Sequence, residues 1–375
     1  MGLRIQNNIA AINAHRQLGI ADAGMSKSLE RLSSGYRINR AADDAAGLSI
    51  SQQFRADIAS YKAASRNVSE ATALLQVAEG AMDQISNMLV RLKELATQAS
   101  SANAGSNLSK INAEGNKLID EIDRIADSTE YAGSKLLNGS FGVTVSSGGS
   151  TFNATLGFAG VTGLESGVEY TVAADANGGN VDITISATLG GQQVSQTLYD
   201  VSAPGQNETK EVKFDALGLT VTFNNNLSSA SDGTIQANNA TASNFQVGPR
   251  DTGNDRIGIL LESAKGTDSN GLNLSKDQLN SATDAQGFLT TIDAAISTLN
   301  TRRGNVGAAQ NRLEYAAANL ATTIENVQAA ESVIRDVDMA AEMTTFTKNQ
   351  ILLQAGTAML AQANMAPQQV LALFG

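Results

Sequence analysis

The sequence predicts an α+β multidomain chain, with long antiparallel α-helical rods formed by both chain termini and an inserted antiparallel β domain. Three patterns carry this expectation. From Leu289 to Ile334, positions 289, 292, 296, 299, 303, 306, 310, 313, 317, 320, 324, 327, 331 and 334 step by three and four, and eleven of the fourteen are apolar. A second register runs through Val68, Ala71, Leu75, Ala78, Met82, Ile85, Leu89, Leu92, Ala96 and Ala99. Between them, from about Phe141 to Ser243, the pattern changes to short alternating runs. A three–four spacing lays one apolar stripe along a helix and needs a partner helix to cover it. The natural partner for the first rod is the second, so the two chain ends are expected to lie together.

The elements follow in order. Met1 to Leu18 reads as an amphipathic helix with Ile5, Ile9 and Ile12 on one face. Leu18, Met25, Leu29 and Leu32 extend an apolar face to Ser33, Ser34 and Gly35, where glycine can take the left-handed cap conformation. A second helix is expected from near Asn39, with Asp43 and Asp44 in its first turns, where negative charge suits the helix dipole. That rod is expected to end near Asn103 to Gly105. A shorter helix through Leu108, Ile111, Leu118, Ile122 and Ile125 follows, ending before Ser128. In the middle, residues 143–145, 170–172, 181–185 and 219–223 alternate β-branched or aromatic residues with polar ones, separated by Gly, Asn, Ser and Asp. This region holds nine Asp and Glu against Lys210 and Lys213, which fits a solvated outer domain. Residues 245–247 and 256–259 read as a hairpin returning the chain to the helices, and the C-terminal rod is expected to run to about Asp338. A last helix carries Met343, Phe346, Leu353 and Leu360, before Pro367 and an apolar tail from Val370 to Phe374.

Composition narrows the chemistry. The 375 residues contain no Cys, which excludes thiol catalysis, disulfides and thiolate metal sites. His15 is the single histidine, so no histidine metal cluster or His-Glu-X-X-His protease helix exists. Asp43 and Asp44 are read as helix-start charges rather than as a catalytic pair. Net charge is −11 with no basic run, which argues against nucleic acid or an anionic membrane surface as partner. No segment approaches the ~18–20 apolar residues of a membrane span, and the N-terminus lacks the pattern of a cleaved secretion signal. No enzymatic role and no cofactor are expected. Asn-X-Ser/Thr triplets at Asn138, Asn153, Asn207, Asn226 and Asn239 are what chance yields in so polar a chain.

Certain segments closely resemble the bacterial flagellins. Leu29 to Asn39 reads LERLSSGYRIN and Ala42 to Gly47 reads ADDAAG, both similar to the family's N-terminal signature, as are Arg66 with Asn67 and Ala78 to Ala81. At the other end, Gly307 to Leu313 (GAAQNRL), Gln350 to Gly356 (QILLQAG), Leu360 to Asn364 and Pro367 to Leu373 resemble its C-terminal segments. The likeness covers about residues 1–140 and 245–375.

The resemblance implies a structural subunit that polymerises into the flagellar filament, the helical propeller of swimming cells. It implies inner-core helices from 1–43 and 338–375, a rod domain from 44–140 and 244–337 that includes the hairpin, and a variable outer β domain at 141–243. The termini are expected to fold on assembly. Leu29, Arg31, Leu32, Gly35, Arg37, Asn39, Asp43 and Asp44 form the assembly signature. Arg91, Leu95 and Glu114 match positions by which a flagellin-sensing Toll-like receptor reads the family, although Arg91 and Leu95 also suit plain packing along the rod. Ile351, Leu352, Leu353 and Leu360 match the segment held by the export chaperone, and equally suit the filament core. Expected partners are further copies of itself, the flagellar export apparatus and chaperone, the filament cap and the hook-associated proteins. The expected location is extracellular, reached without a cleaved signal. A hook–filament junction protein shares the terminal helices and stands as the alternative.

Overall fold

The computed structural model describes residues 8–374 apart from 102–104, 147–153, 179, 190–191, 230 and 269. Ile5, Asn103 and Asn153 therefore lie outside the described residues, as do the side chains of the tail from Val370 to Phe374. The chain divides into two compact units, 1–63 with 319–375, and 64–318.

Among the described residues five long helices run in chain order: α1 (Ile9–Ser34), α2 (Ala45–Ala99), α3 (Leu108–Ser128), α4 (Ala282–Arg335) and α5 (Met339–Phe374). The strands among them are β1 (Glu130–Tyr131), β2 (Ser134–Lys135), β3 (Phe158–Thr162), β4 (Glu169–Asn177), β5 (Asn180–Leu189), β6 (Gln192–Val201), β7 (Lys210–Phe214), β8 (Leu219–Phe223), β9 (Gly233–Gln236), β10 (Ser243–Gln246) and β11 (Arg256–Ile259). α4 ends close to the expected Asp338, whereas α5 continues through Pro367 instead of stopping before it.

In the unit of residues 64–318, the expected α2 seam is the buried face: all ten positions from Val68 to Ala99 are buried. α2 and α4 run antiparallel, tied by Gln310 to Glu79 at 2.9 Å, Arg303 to Asp83 at 3.1 Å and Lys93 to Asp293 at 2.5 Å. The α4 seam is displaced by one residue at three of its fourteen positions. Its buried line reads Ala285, Phe288, Ile292, Ala295, Leu299, Arg302 and Val306, so 288, 295 and 302 take the places expected of 289, 296 and 303. The cause is the irregular segment 260–280, whose buried Leu261, Ala264, Leu272, Leu274 and Leu279 form a second wall. Arg302 serves that wall, donating from Nε to Glu262 at 2.9 Å, from Nη2 to Asn270 O at 2.9 Å and from Nη1 to Ser263 O. α3 is joined to the same segment through buried Asn112, which donates to Asp277 at 2.8 Å and accepts from Leu279 N at 3.2 Å.

The inserted region forms two antiparallel sheets, ordered β6-β5-β4-β9 and β3-β8-β7. Their inward residues share one core that includes Tyr170, Val172, Ile183, Ile185, Phe214, Val221 and Phe223. Phe158 and Phe223 meet at 5.6 Å between ring centres, inside the favourable aromatic range. Residues 143–145, expected as a strand, supply among the described residues only the bridge Val145 to Ala237, with the backbone bonds Ser146 N to Gln236 O and Asn238 N to Thr144 O beside it. The expected hairpin is present as β10 paired with β11.

Candidate assembly surface and the clasp between the chain ends

The residues of the signature converge on the short links at either end of the two unit-forming helix pairs. α1 stops at Gly35, which takes φ 75°, and its N–H caps Arg31 O at 2.8 Å. The chain then bonds to the α4–α5 link: Arg37 N donates to Arg335 O at 2.7 Å, and Val337 N donates to Gly35 O at 3.0 Å. The Arg37 guanidinium adds bonds to Ile334 O at 2.6 Å and Val333 O at 3.3 Å, filling carbonyls that the end of α4 leaves open. Arg335 lies 4.4 Å from the centre of the Tyr36 ring, a cation–π contact in the reverse direction. Arg31 reaches Glu342 of α5 at 3.4 Å.

The two aspartates differ from the expected pair of first-turn charges. α2 begins at Ala45, not near Asn39, because residues 39–44 close a turn of their own. Asp43 Oδ2 accepts from Asn39 N at 3.3 Å and Arg40 N at 3.2 Å, and Lys27 bonds its other oxygen at 2.7 Å. The Lys27 hydrogen bond, followed by that of Arg40 N, holds the Asp43 carboxyl down at about 2. Asp44 caps the new helix, accepting from Gly47 N at 2.9 Å. Asn39 donates to Ser34 Oγ at 2.8 Å. Nothing in this chemistry is catalytic: it is a clasp of caps and ion pairs that joins the two chain ends.

Beyond the clasp, α1 and α5 pack antiparallel. Asn8 donates to Ala363 O at 2.7 Å at one end, and Arg31 meets Glu342 at the other. The face that α1 turns to α5 is Ala11, Ala14, Leu18, Ala21, Met25, Ser28 and Leu32, a regular three–four line of mostly small residues. α5 answers with Glu342, Phe346, Asn349, Leu353, Gly356, Leu360 and Ala363. A Cβ on Gly24 would stand 2.9 Å from Asn349 Nδ2, so the Asn349 side chain lies directly over this glycine and would have to move for a larger residue. The expected face of α1 is thus half right: Leu18, Met25 and Leu32 line the seam, whereas Ile9, Ile12 and Leu29 do not. Ile9, Ile12 and Ile20 lie on the opposite side of the helix within about 80° of arc, and are 57%, 63% and 60% exposed. Leu29 is exposed as well. On α5, Leu353 and Leu360 line the seam, whereas Ile351, Leu352, Met343 and Met359 face outward.

The three positions matched to receptor sensing separate in a similar way. Arg91 bridges Glu114 and Glu94, each at 2.9 Å, on the open side of α2. Leu95 is 2% exposed and belongs to the rod core.

A chain whose paired terminal helices still leave a row of large apolar residues bare on their outer sides is built as a protomer of a larger structural assembly. It belongs to the bacterial flagellin family: residues 5–142 match the bacterial flagellin N-terminal helical region and residues 289–374 the C-terminal helical region. It is 39% identical to a flagellin of Clostridium tyrobutyricum, over 97% of this chain and all of that one. It is 37% identical to a flagellin of Bacillus subtilis strain 168, over 99% of this chain and all of that one. Flagellin B of Vibrio cholerae O1 strain O395 matches at 36% identity along the whole of both.

Proposed function

We propose that this chain is the structural subunit of a bacterial flagellar filament, lying outside the cell, and that contacts between copies complete its terminal helices. The observation that carries the reading is the bare isoleucine stripe on the side of α1 turned away from α5, together with the exposed Ile351, Leu352 and Met359 of α5. Large apolar side chains in contiguous rows are rare on a lone soluble surface and mark association. A screw-related contact between unlike surfaces does not close, so it extends as a helical polymer. Whole-length likeness to flagellins favours the filament subunit over a hook–filament junction protein. Seeded elongation followed by electron microscopy tests this, with the intact chain expected to grow long filaments. Growth from chains lacking residues 1–35 or 340–375 would overturn it.

Five finer parts of the reading rest on the family likeness and on this geometry. The inner layer is drawn from 1–43 and 338–375, the rod layer from 44–140 and 244–337, and the outer domain from 141–243; limited proteolysis of the free subunit is expected to trim the first pair soonest. Export runs through the flagellar apparatus without cleavage, so the mass of the secreted subunit should equal that of the unprocessed chain. The export chaperone holds the 351–360 segment, and Ile351→Asp should abolish its co-purification. The filament cap and hook-associated proteins meet the same terminal helices. Receptor sensing, where it occurs, reads Arg91 and Glu114, since Leu95 is inside; a reporter assay unmoved by Arg91→Ala removes that residue from the contact. The role is mechanical rather than enzymatic.

A further inference from the structure

The outer domain has four sheet edges, and they are not alike. β9 is covered along its open side by residues 144–146, through Ser146 N to Gln236 O at 2.7 Å and Asn238 N to Thr144 O at 2.8 Å. β7 is five residues long and carries Lys210, Glu211 and Lys213. β3 is equally short and its register shifts between Phe158 and Gly160. Short length, charge and bulges are the usual means of keeping an edge from pairing. β6 uses them only at its end, where its register against β5 shifts between Leu198 and Val201 and its one charge, Asp200, takes φ 62°. The rest of its ten residues, from Gln192 to Leu198, pairs regularly with β5 and holds no Lys, Pro or bulge. Among the described residues, β5 is the one strand paired with it.

Hairpin geometry tells which backbone groups of β6 point outward. Asn177 pairs with Asn180 and Leu189 pairs with Gln192, each across two intervening residues. Two-residue links close on a hydrogen-bonded pair, and such pairs alternate along an antiparallel ladder. Both hairpins give one answer: residues 183, 185 and 187 of β5 bond β6, and 194, 196 and 198 of β6 bond β5. The N–H and C=O groups of Gln193, Ser195, Thr197 and Tyr199 then face away from the sheet. On the core side, Val194 and Leu198 are only partly buried at the margin of the core, so that margin is itself incompletely covered.

We propose that β6 pairs edge to edge with β6 of a second copy of this chain, antiparallel about a two-fold axis through Gln196. This register sets Ser195 against Thr197 of the second copy and Gln193 against Tyr199, so the outward backbone groups meet. On the core side it places Val194 against Leu198 of the second copy, which continues the apolar layer across the join. No like charges face each other, since Asp200 falls opposite Gln192. A two-fold pairing requires a self-complementary surface, and this strand is one. The proposal rests on the filament reading in one respect: subunits of one screw-related filament share no two-fold axis, but two filaments can, and each presents β6 in many copies, so weak strand pairs between filaments add together.

The chain has no cysteine, so cross-linking is clean. Full-length Ser195→Cys and Thr197→Cys chains are mixed, exposed to mild oxidant, and compared with each chain alone and with mixed Glu211→Cys and Lys213→Cys chains on β7. The expected result is a covalent dimer from the β6 mixture, at least about tenfold more than from the β7 mixture. Adding Thr197→Pro to the Ser195→Cys chain should remove it, because proline deletes an outward N–H at an edge where it leaves the fold intact. Gln193→Lys, a gentler block, should reduce it. Absence of the dimer, or equal yields from β6 and β7, would overturn the proposal. Seeded elongation of the Thr197→Pro chain is measured in parallel and is expected to be normal, so failure of the strand pairing and failure of the filament reading give different results.

Discussion

Between residues 64 and 99, α2 turns an unbroken line of apolar side chains inward, and Leu75, Ile85, Leu89 and Leu92 are fully buried. Along α1 and α5 the same three–four rhythm is present, but the shared seam mixes Ala, Gly and Ser with Leu18, Met25, Leu32, Phe346, Leu353 and Leu360 and is mostly half-buried, while Ile9, Ile12, Ile20, Ile351, Leu352 and Met359 stay exposed. Both regions are heptad helices in antiparallel pairs. One has finished its core within the chain, and the other keeps a second set of large apolar residues on its outside. Periodicity therefore shows that a helix has a face, but the size of the residues on each face shows whether that face is satisfied alone or in an assembly.

The largest way to break this contrast is to remove the ends. Deleting 1–35 or 340–375 should abolish polymerisation in a seeded assay while circular dichroism still reports cooperative melting of the remaining chain; loss of that melting would mean the ends sustain the rod. Next, Leu89→Ala should cost about 2–5 kcal/mol in chemical denaturation of the monomer, as for other buried leucines. Ile351→Ala, by contrast, should fall within about 0.5 kcal/mol in the same measurement, yet raise the critical concentration for filament growth. Equal monomer costs for the two would erase the distinction between the units.

Smaller effects sharpen the account at the joints. Arg302→Ala should destabilise the monomer by about 1–3 kcal/mol, because the Ser263 and Asn270 carbonyls lose their donor inside the rod; hydrogen exchange should quicken in 260–280 before α4 itself. Arg37→Ala should do less, about 1 kcal/mol, with exchange rising at 333–337 where it caps α4. The smallest effect is acid sensitivity of the clasp. Asp43 has its carboxyl held from 3.8 down to about 2, chiefly by the Lys27 hydrogen bond, so its contribution is full above 3.8 and is lost as pH falls toward about 2. The melting difference between the intact chain and Asp43→Asn should shrink over that interval, and a difference constant down to pH 2 would dismiss the ion pair.

The register of α2 was legible to the residue because all ten seam positions from Val68 to Ala99 are apolar and one face dominates. β8 was legible for a similar reason, since Leu219 to Phe223 alternates without interruption. β3, β6, β7 and β9 escaped notice: β6 spells mostly polar residues, because an edge strand at a core margin buries few of its side chains. The signature from Leu29 to Asp44 was visible as a motif, and its use was not. Nothing local tells that Arg37 caps a helix some 300 positions away, whereas Gly35 announces its own turn through the conformation only glycine takes easily.

The sequence by itself determined the class of architecture, the seams of the rods, the hairpin, the absence of thiol and histidine chemistry, and the family, because these depend on spacing and composition within short windows. The tertiary structure decided which face of α1 meets α5, why the α4 seam slips to Phe288, Ala295 and Arg302, that Leu95 is inside, and that Asp43 closes a turn while Asp44 caps a helix. Each of those depends on what arrives from a distant part of the chain. A helix offers several faces with similar apolar content, and only the shape and polarity of the partner select one.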